Sequence, residues 1–233
     1  MKSIIVIIFF SLTFISFAES LESKLKEKKE SSKASPETKA ILKKGIDHLI
    51  ESKLKDQAMS LLGSKLPEES FINEIGMPIT TKSLYKNGTI VLNFYRGGWC
   101  PYCMLELEAY QKLLNSFKQS KITVIALTPD QYREINKTRK KFNLTFPIYS
   151  DKNNQLAKKL GLAFKVDQDT ISAYKNLGID LQAFQNNDEW MLPMPGVYVI
   201  DQTGTIRHIE VDPDYTKRAE PSKILEIAKS LSM

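Results

Sequence analysis

An apolar run, Thr89–Tyr95 (TIVLNFY), empties directly into RGGWCPYC at 96–103. This junction constrains the fold more than any other feature of the chain. A run of that length and composition reads as a buried strand. The proline at 101 suits the first turn of a helix and little else in regular structure. The pattern predicts a helix from Pro101 to about Phe117. A strand, a short turn and a helix are therefore joined with both cysteines of the chain in between.

The elements that follow repeat this alternation. Lys121–Leu127 reads as a second strand, and Thr128-Pro129-Asp130 as the cap of a helix reaching about Phe142. Phe146–Tyr149 reads as a short strand, followed by an Asp151-led helix to Leu160. Val197–Ile200 and Thr205–Val211 flank the turn Asp201-Gln202-Thr203-Gly204 and read as a hairpin. Pro221–Leu231 reads as a last helix. This order predicts an α/β fold, a central mixed sheet flanked by helices on both faces. The segment Gly161–Gly196 has weak periodicity and is long, as functional insertions often are.

Upstream, Ile41, Leu42, Ile46, Leu49, Ile50, Leu54, Ala58, Leu61 and Leu62 recur at three- and four-residue steps. They predict an N-terminal helical extension over 37–66, packed on a domain spanning 67–233. Residues 19–36 (ESLESKLKEKKESSKASP) are charged and serine-rich and read as a flexible linker. Residues 1–18 carry Lys2, an apolar stretch of about 14 residues from Ile4 to Phe17, and Ser16-Phe17-Ala18 as a small-x-small cleavage site. They read as a signal peptide, the alternative being an uncleaved anchor. The expected location is secreted or periplasmic, with no stable membrane insertion after cleavage. The formal net charge of +6 comes from basic residues mixed with acidic ones along the chain. No basic patch interleaved with aromatics stands out, so nucleic acid is not an expected partner.

The cysteine pair admits a structural or a chemical role. A disulfide stabilises most by closing a long loop, and a two-residue gap closes almost none. Zinc needs four ligands, and only His48 and His208 remain, both distant in sequence. A reactive pair fits better. Cys100 falls at or beside the helix N-cap, where backbone N–H groups and the helix dipole stabilise a thiolate. Cys103 lies nearly one turn on, on the same face, so the two sulfurs can close a short disulfide. One sulfur is expected to be accessible, with the other behind it as the resolving thiol. Arg96 can place positive charge near them. Trp99 covers the strand end and rims Cys100, and Gly97-Gly98 permit close backbone approach. Pro195, immediately before a strand, suits a cis Met194–Pro195 bond facing the active site.

These residues resemble the thioredoxin fold, with Trp99-Cys100-Pro101-Tyr102-Cys103 as its Trp-Cys-x-x-Cys motif and Pro195 as its cis-proline. From about Lys39 to Leu231 the chain is similar to the AhpC/TSA peroxiredoxin family. VIALTPD, FPIYSDKNNQLAKKLGL and GVYVIDQTGTIRHIE carry the likeness. It resembles in particular a peroxiredoxin-like subgroup with FYRGGWCPYC and a long insertion. The resemblance implies a thiol peroxidase that reduces hydroperoxides through a Cys100/Cys103 redox disulfide. It needs no cofactor or metal, and an external, thioredoxin-like thiol is the electron donor. The departures are specific. Aligned on Pro-x-x-x-Thr-x-x-Cys, the chain has Arg96 for the proline, Cys100 for the threonine and Cys103 for the peroxide-attacking cysteine. The family's later arginine falls at Pro195 or its neighbours, leaving Arg96 as its expected substitute. Helix position favours Cys100 as nucleophile and alignment favours Cys103. The Trp-Cys-x-x-Cys motif also suits a thiol–disulfide oxidoreductase acting on protein disulfides. A third reading is a secreted binding domain using residues 37–63, with an inert disulfide.

Overall fold

The computed structural model describes residues 20–73 and 77–231. The signal-peptide reading of 1–18 lies outside them. Three helices come first: α1 (Leu21–Glu30), α2 (Pro36–Glu51) and α3 (Leu54–Met59). Strands β1 (Ser70–Ile72) and β2 (Pro78–Thr80) form a small hairpin, followed by α4 (Thr81–Tyr85). The central elements are β3 (Ile90–Phe94), α5 (Pro101–Gln119), β4 (Thr123–Thr128), α6 (Tyr132–Lys141) and β5 (Ile148–Ser150). A 3-10 turn (Lys152–Asn154) leads into α7 (Gln155–Lys159). The insertion holds β6 (Ala163–Lys165), α8 (Gln168–Asn176), α9 (Leu181–Gln185) and β7 (Met191–Pro193). β8 (Gly196–Ile200), β9 (Ile206–Val211) and α10 (Pro221–Ser230) finish the chain.

The sheet runs β2-β1-β5-β4-β3-β8-β9, with β3 parallel to β4 and antiparallel to β8. It is the mixed, helix-flanked α/β sheet the sequence predicts. β3 lies in its interior, and its side chains alternate between two cores. Ile90, Leu92 and Phe94 face the core that also holds Leu49, Ala58, Leu156 and Leu160. Val91 and Tyr95 face α5 and α10. Asn93 shares that second face by the same period of two, and its amide reaches Glu106 on α5.

The charged stretch expected as a flexible linker is instead α1. Ser20 caps it by accepting from the Ser23 N–H at 3.1 Å. Leu21 and Leu25, four residues apart, make one apolar stripe buried against α5, while Lys26, Lys28 and Lys29 are exposed. The Thr128-Pro129-Asp130 cap also differs. The N-cap of α6 is Gln131, and the Asp130 carboxylate turns away to accept the Gly98 N–H at 2.9 Å. Asp151 does serve a helix start, accepting the Leu156 and Ala157 N–H groups at 2.9 Å each.

Every described peptide bond is trans, including Met194–Pro195. The expected cis bond is thus not formed, and a trans bond carries the chain from Met194, which donates its N–H to the Leu162 carbonyl at 2.8 Å, into β8. Gly196, paired with Phe94, then begins β8. Among the described residues no helix is long and apolar enough to cross a membrane.

Candidate active site

β3 delivers Tyr95 and Arg96 to the end of the sheet, and the next turn doubles back tightly. Gly97 has φ +154°, and a Cβ there would strike the Trp99 indole and come 2.9 Å from Asp130 Oδ1. A Cβ on Gly98 would meet the Thr138 hydroxyl. Both glycines are thus required by close approach. The turn places Cys100 at the N-cap of α5 and Pro101 at its first position.

Cys100 and Cys103 are free thiols, and both are buried, 1% and 0% exposed. The expected division into an exposed and a hidden sulfur does not occur. The roof of aromatics over the turn is the reason: Trp99 packs on Tyr174 at 5.6 Å and Phe184 at 6.5 Å. Tyr215 also lies over Arg96, 4.2 Å from its guanidinium.

Each sulfur has its own buried cation. Arg96 Nη1 lies 3.9 Å from Cys100 Sγ, and its Nη2 donates to the Tyr174 hydroxyl. The guanidinium sits among Trp99, Tyr174 and Tyr215, at 5.0, 5.5 and 4.2 Å from the ring centres. Arg218 Nη2 donates to Cys103 Sγ at 3.2 Å. Its Nε pairs with Glu106 Oε2 at 2.8 Å, both side chains 1% exposed, and Glu106 Oε1 accepts from Asn93 at 2.8 Å.

Arg218 and Glu106 were not legible as site residues. Glu106 did leave a signal. It follows Cys103 by three, on the stripe of Leu107, Tyr110, Leu114 and Phe117. A carboxylate on a buried stripe requires a cation. Nothing local marks Arg218 as that cation, since it arrives 115 residues after Cys103. Arg96 is therefore not the lone substitute for the family's arginine. Pro195 stands apart from the sulfurs' hydrogen bonds and forms a wall shared by two openings. One is a groove of about 1050 Å³ beside α1 that reaches Arg218 and Glu106. The other is a cleft of about 270 Å³ beside α2 that reaches Arg96.

The two thiols are strongly unequal. Burial pushes Cys100 up, but the hydrogen bond from the Cys103 thiol and the charges of Arg96 and Arg218 outweigh it and bring Cys100 down to about 5. Burial pushes Cys103 well above the ordinary thiol value, and donating to a negatively charged Cys100 pushes it further. Arg218 touches Cys103 more closely than Arg96 touches Cys100, yet Cys103 is the thiol that stays protonated. Burial and donation to the charged Cys100 outweigh the lowering that Arg218 and Arg96 exert on Cys103. Arg218 also pairs with Glu106, whereas the charged and titratable groups acting on Arg96 are two tyrosines and the cysteines. Burial also pushes Glu106 and Asp130 each up to about 8, against the hydrogen bonds each accepts. The site thus holds one thiolate, one thiol that donates to it, and a guanidinium on each side. That arrangement suits attack by Cys100 on a small electrophile, followed by closure of a Cys100–Cys103 bond. Among the described residues no group of three metal-ligating side chains occurs.

The mixed sheet flanked by helices defines a thioredoxin-fold protein, here with two free cysteines at the start of α5. Residues 62–209 match the AhpC/TSA family model, and the chain belongs to that family. Among similar proteins, a peroxiredoxin of Methanococcus maripaludis is 29% identical over 74% of this chain and 72% of its own. Peroxiredoxin 1 of Picrophilus torridus is 28% identical over 75% and 69%. In fold, the chain is similar to a crystal structure of a mutant of peroxiredoxin 6 from Arenicola marina. The TM-score is 0.60, with 21% identity, over 73% of this chain and 72% of that one.

Proposed function

We propose that this chain is a thiol peroxidase in which Cys100 attacks and Cys103 resolves. The Cys100 thiolate takes the terminal oxygen of a hydroperoxide. An S–O bond forms, the O–O bond breaks, and the alkoxide or hydroxide leaves with the electron pair and takes up a proton. Cys103 then attacks the Cys100 sulfenic acid. The disulfide closes and water leaves. An external thiol donor of the thioredoxin type returns the pair to two thiols, becoming a disulfide itself. Arg96 supports the first step by facing the oxygen on which negative charge grows. Pro101 starts the helix that presents Cys100, and Trp99 and Pro195 wall the site. No metal or organic cofactor enters these steps.

One observation carries the assignment of Cys100. It is the thiol held below its ordinary range, beside the arginine that no carboxylate neutralises. The peroxiredoxin relatives support the reaction class. The alternative, exchange with protein disulfides, needs a sulfur that another protein can reach, and burial of both sulfurs disfavours it. Residues 1–18 support an extracytoplasmic location. The test is single-turnover reaction of the pre-reduced protein with hydrogen peroxide, beside Cys100→Ser and Cys103→Ser. The expected result is a rate far above that of a free thiolate, retained in Cys103→Ser and lost in Cys100→Ser. A rate no better than a free thiolate, for hydrogen peroxide and an alkyl hydroperoxide alike, overturns the reading.

A further inference from the structure

Cys103 has to give up its proton to close the disulfide, and its surroundings oppose that. It is fully buried and donates to the Cys100 thiolate. One cation touches its sulfur: Arg218 Nη2 donates to Sγ at 3.2 Å. That guanidinium is aimed and not merely nearby. Its Nε faces Glu106 Oε2 at 2.8 Å, and both side chains are 1% exposed. Its Nη1 donates to the Lys217 carbonyl at 2.6 Å and also to the Tyr215 carbonyl. The residues that follow are held in turn by α1. Ala219 lies in the same core as Leu21 and Leu25, and Glu220 accepts the Leu21 N–H at 3.1 Å. Arg218 and α1 both lie outside the 62–209 family match. Apolar side chains of similar volume often fill such a space with equal or greater stability, so stability alone is a weak reason for a buried ion pair. Pairing with Glu106 occupies only one edge of the guanidinium, and another edge lies on the Cys103 sulfur.

We propose that Arg218 is a catalytic residue of disulfide closure, holding the Cys103 sulfur as it gives up its proton and attacks the Cys100 sulfenic acid. The proposal rests on the peroxidase reading and adds a residue to its second step. In that step the Cys103 sulfur bonds to the Cys100 sulfur and the S–O bond breaks. The departing hydroxide takes the proton that Cys103 gives up and leaves as water. Negative charge grows on Cys103 before the new bond is complete, and a charged donor already within hydrogen-bond distance stabilises it. The timing follows from the neighbours of Cys103. While Cys100 is a thiolate, its charge and its hydrogen bond keep the proton on Cys103. Once Cys100 carries the oxygen that charge is gone, and the two guanidiniums remain. Arg218 therefore takes effect on Cys103 only after the first step.

The experiment follows both steps in the reduced full chain mixed with hydrogen peroxide. Acid-quenched samples are read by mass, which separates dithiol, sulfenic acid and disulfide. Arg218→Met keeps an unbranched side chain and removes the charge. Closure is expected to slow about a hundredfold and attack about tenfold or less, so sulfenic acid builds up. The pH at which closure reaches half its plateau is expected to rise by about one unit or more, a shift that lost packing alone would not produce. Arg218→Lys, which keeps the charge, is expected to restore closure in part. The double variant Glu106→Leu with Arg218→Met removes the pair together and leaves no buried charge unpaired. It decides the matter if Arg218→Met does not fold, and the same slowing and the same shift are expected of it. Closure that keeps its rate and its pH profile in a folded variant without Arg218 overturns the proposal. Attack and closure slowed equally overturn it as well. If the unsubstituted protein forms neither sulfenic acid nor disulfide, with hydrogen peroxide or an alkyl hydroperoxide, the peroxidase reading fails and this role goes with it. If sulfenic acid forms and closes as fast without Arg218, the proposal fails alone.

Discussion

Cys100 and Cys103 sit less than one helical turn apart, each beside a buried guanidinium, yet the two halves of the site follow different plans. On the Cys100 side, Arg96 lies among Trp99, Tyr174 and Tyr215, rings that attract its charge without cancelling it. On the Cys103 side, Arg218 is already paired with Glu106. A cation held by aromatic faces can still stabilise a thiolate. A cation paired with a buried carboxyl is shared between two acceptors. Proximity alone would assign the negative charge to Cys103, but burial and its hydrogen bond to Cys100 keep Cys103 protonated and leave the charge on Cys100. Whether a buried arginine activates a thiol thus depends on what else the thiol and the arginine touch.

The comparison breaks most visibly when the sulfurs themselves are exchanged for oxygen. Cys100→Ser should lower the single-turnover rate with hydroperoxide by on the order of 10³-fold or more. Cys103→Ser should keep the first turnover and accumulate a sulfenic acid, detectable by mass after trapping. Equal losses in the two variants would mean that the halves are not divided into attacker and resolver. Next in size is the loss of the uncompensated cation. Arg96→Leu should slow attack about a hundredfold and raise the Cys100 thiol, read from the ultraviolet absorbance of the thiolate against pH. In the unsubstituted protein the rate should hold level down to about pH 5 and fall below it, because the thiolate is lost as pH drops through the Cys100 value. In Arg96→Leu that edge should move to higher pH.

Removing the compensating carboxylate should do the reverse to the other half. In Glu106→Gln, Arg218 no longer faces a carboxylate above about pH 8, where Glu106 ionises, so in that range the gap between the two thiols narrows. The expected change in attack rate is within about tenfold, with faster alkylation of Cys103 as the signature. The smallest effect concerns stability. Asp130 binds a proton in the folded state up to about pH 8, against an ordinary value of 3.8. A folded-state value raised in this way stabilises below the ordinary value, and that contribution is lost as pH rises toward 8. Glu106 acts in the same direction. Asp130→Asn should therefore flatten part of the fall in urea midpoint between about pH 4 and 8. An unchanged slope would remove Asp130 from the account.

What could be read from the chain follows from covalent distance. β3, its turn and α5 are contiguous, and their strand period, glycines and first-turn proline were enough to place Cys100 at the N-cap. The same is true of the β8–β9 hairpin around Gly204. α1 was hidden because two leucines among lysines and glutamates look solvated until a neighbouring helix covers them. The Met194–Pro195 bond is trans where the sequence predicts cis, since a proline before a strand permits either isomer and no local pattern reports which one the fold selects. Glu106 was visible as a charge out of place on the apolar face of α5. Its partner was not, because Arg218 reaches the site through a loop between β9 and α10 whose path only the assembled sheet defines.

That long reach bears on how the protein is made. A ribosome finishes the cysteine motif well before it adds Tyr174, and Arg218 comes 115 residues after Cys103. Until those side chains arrive, Cys103 lacks the donor from Arg218, and Arg96 lacks the Tyr174 hydroxyl and the rings that hold it beside Cys100. The complete site thus comes into being late, as a property of the nearly finished chain.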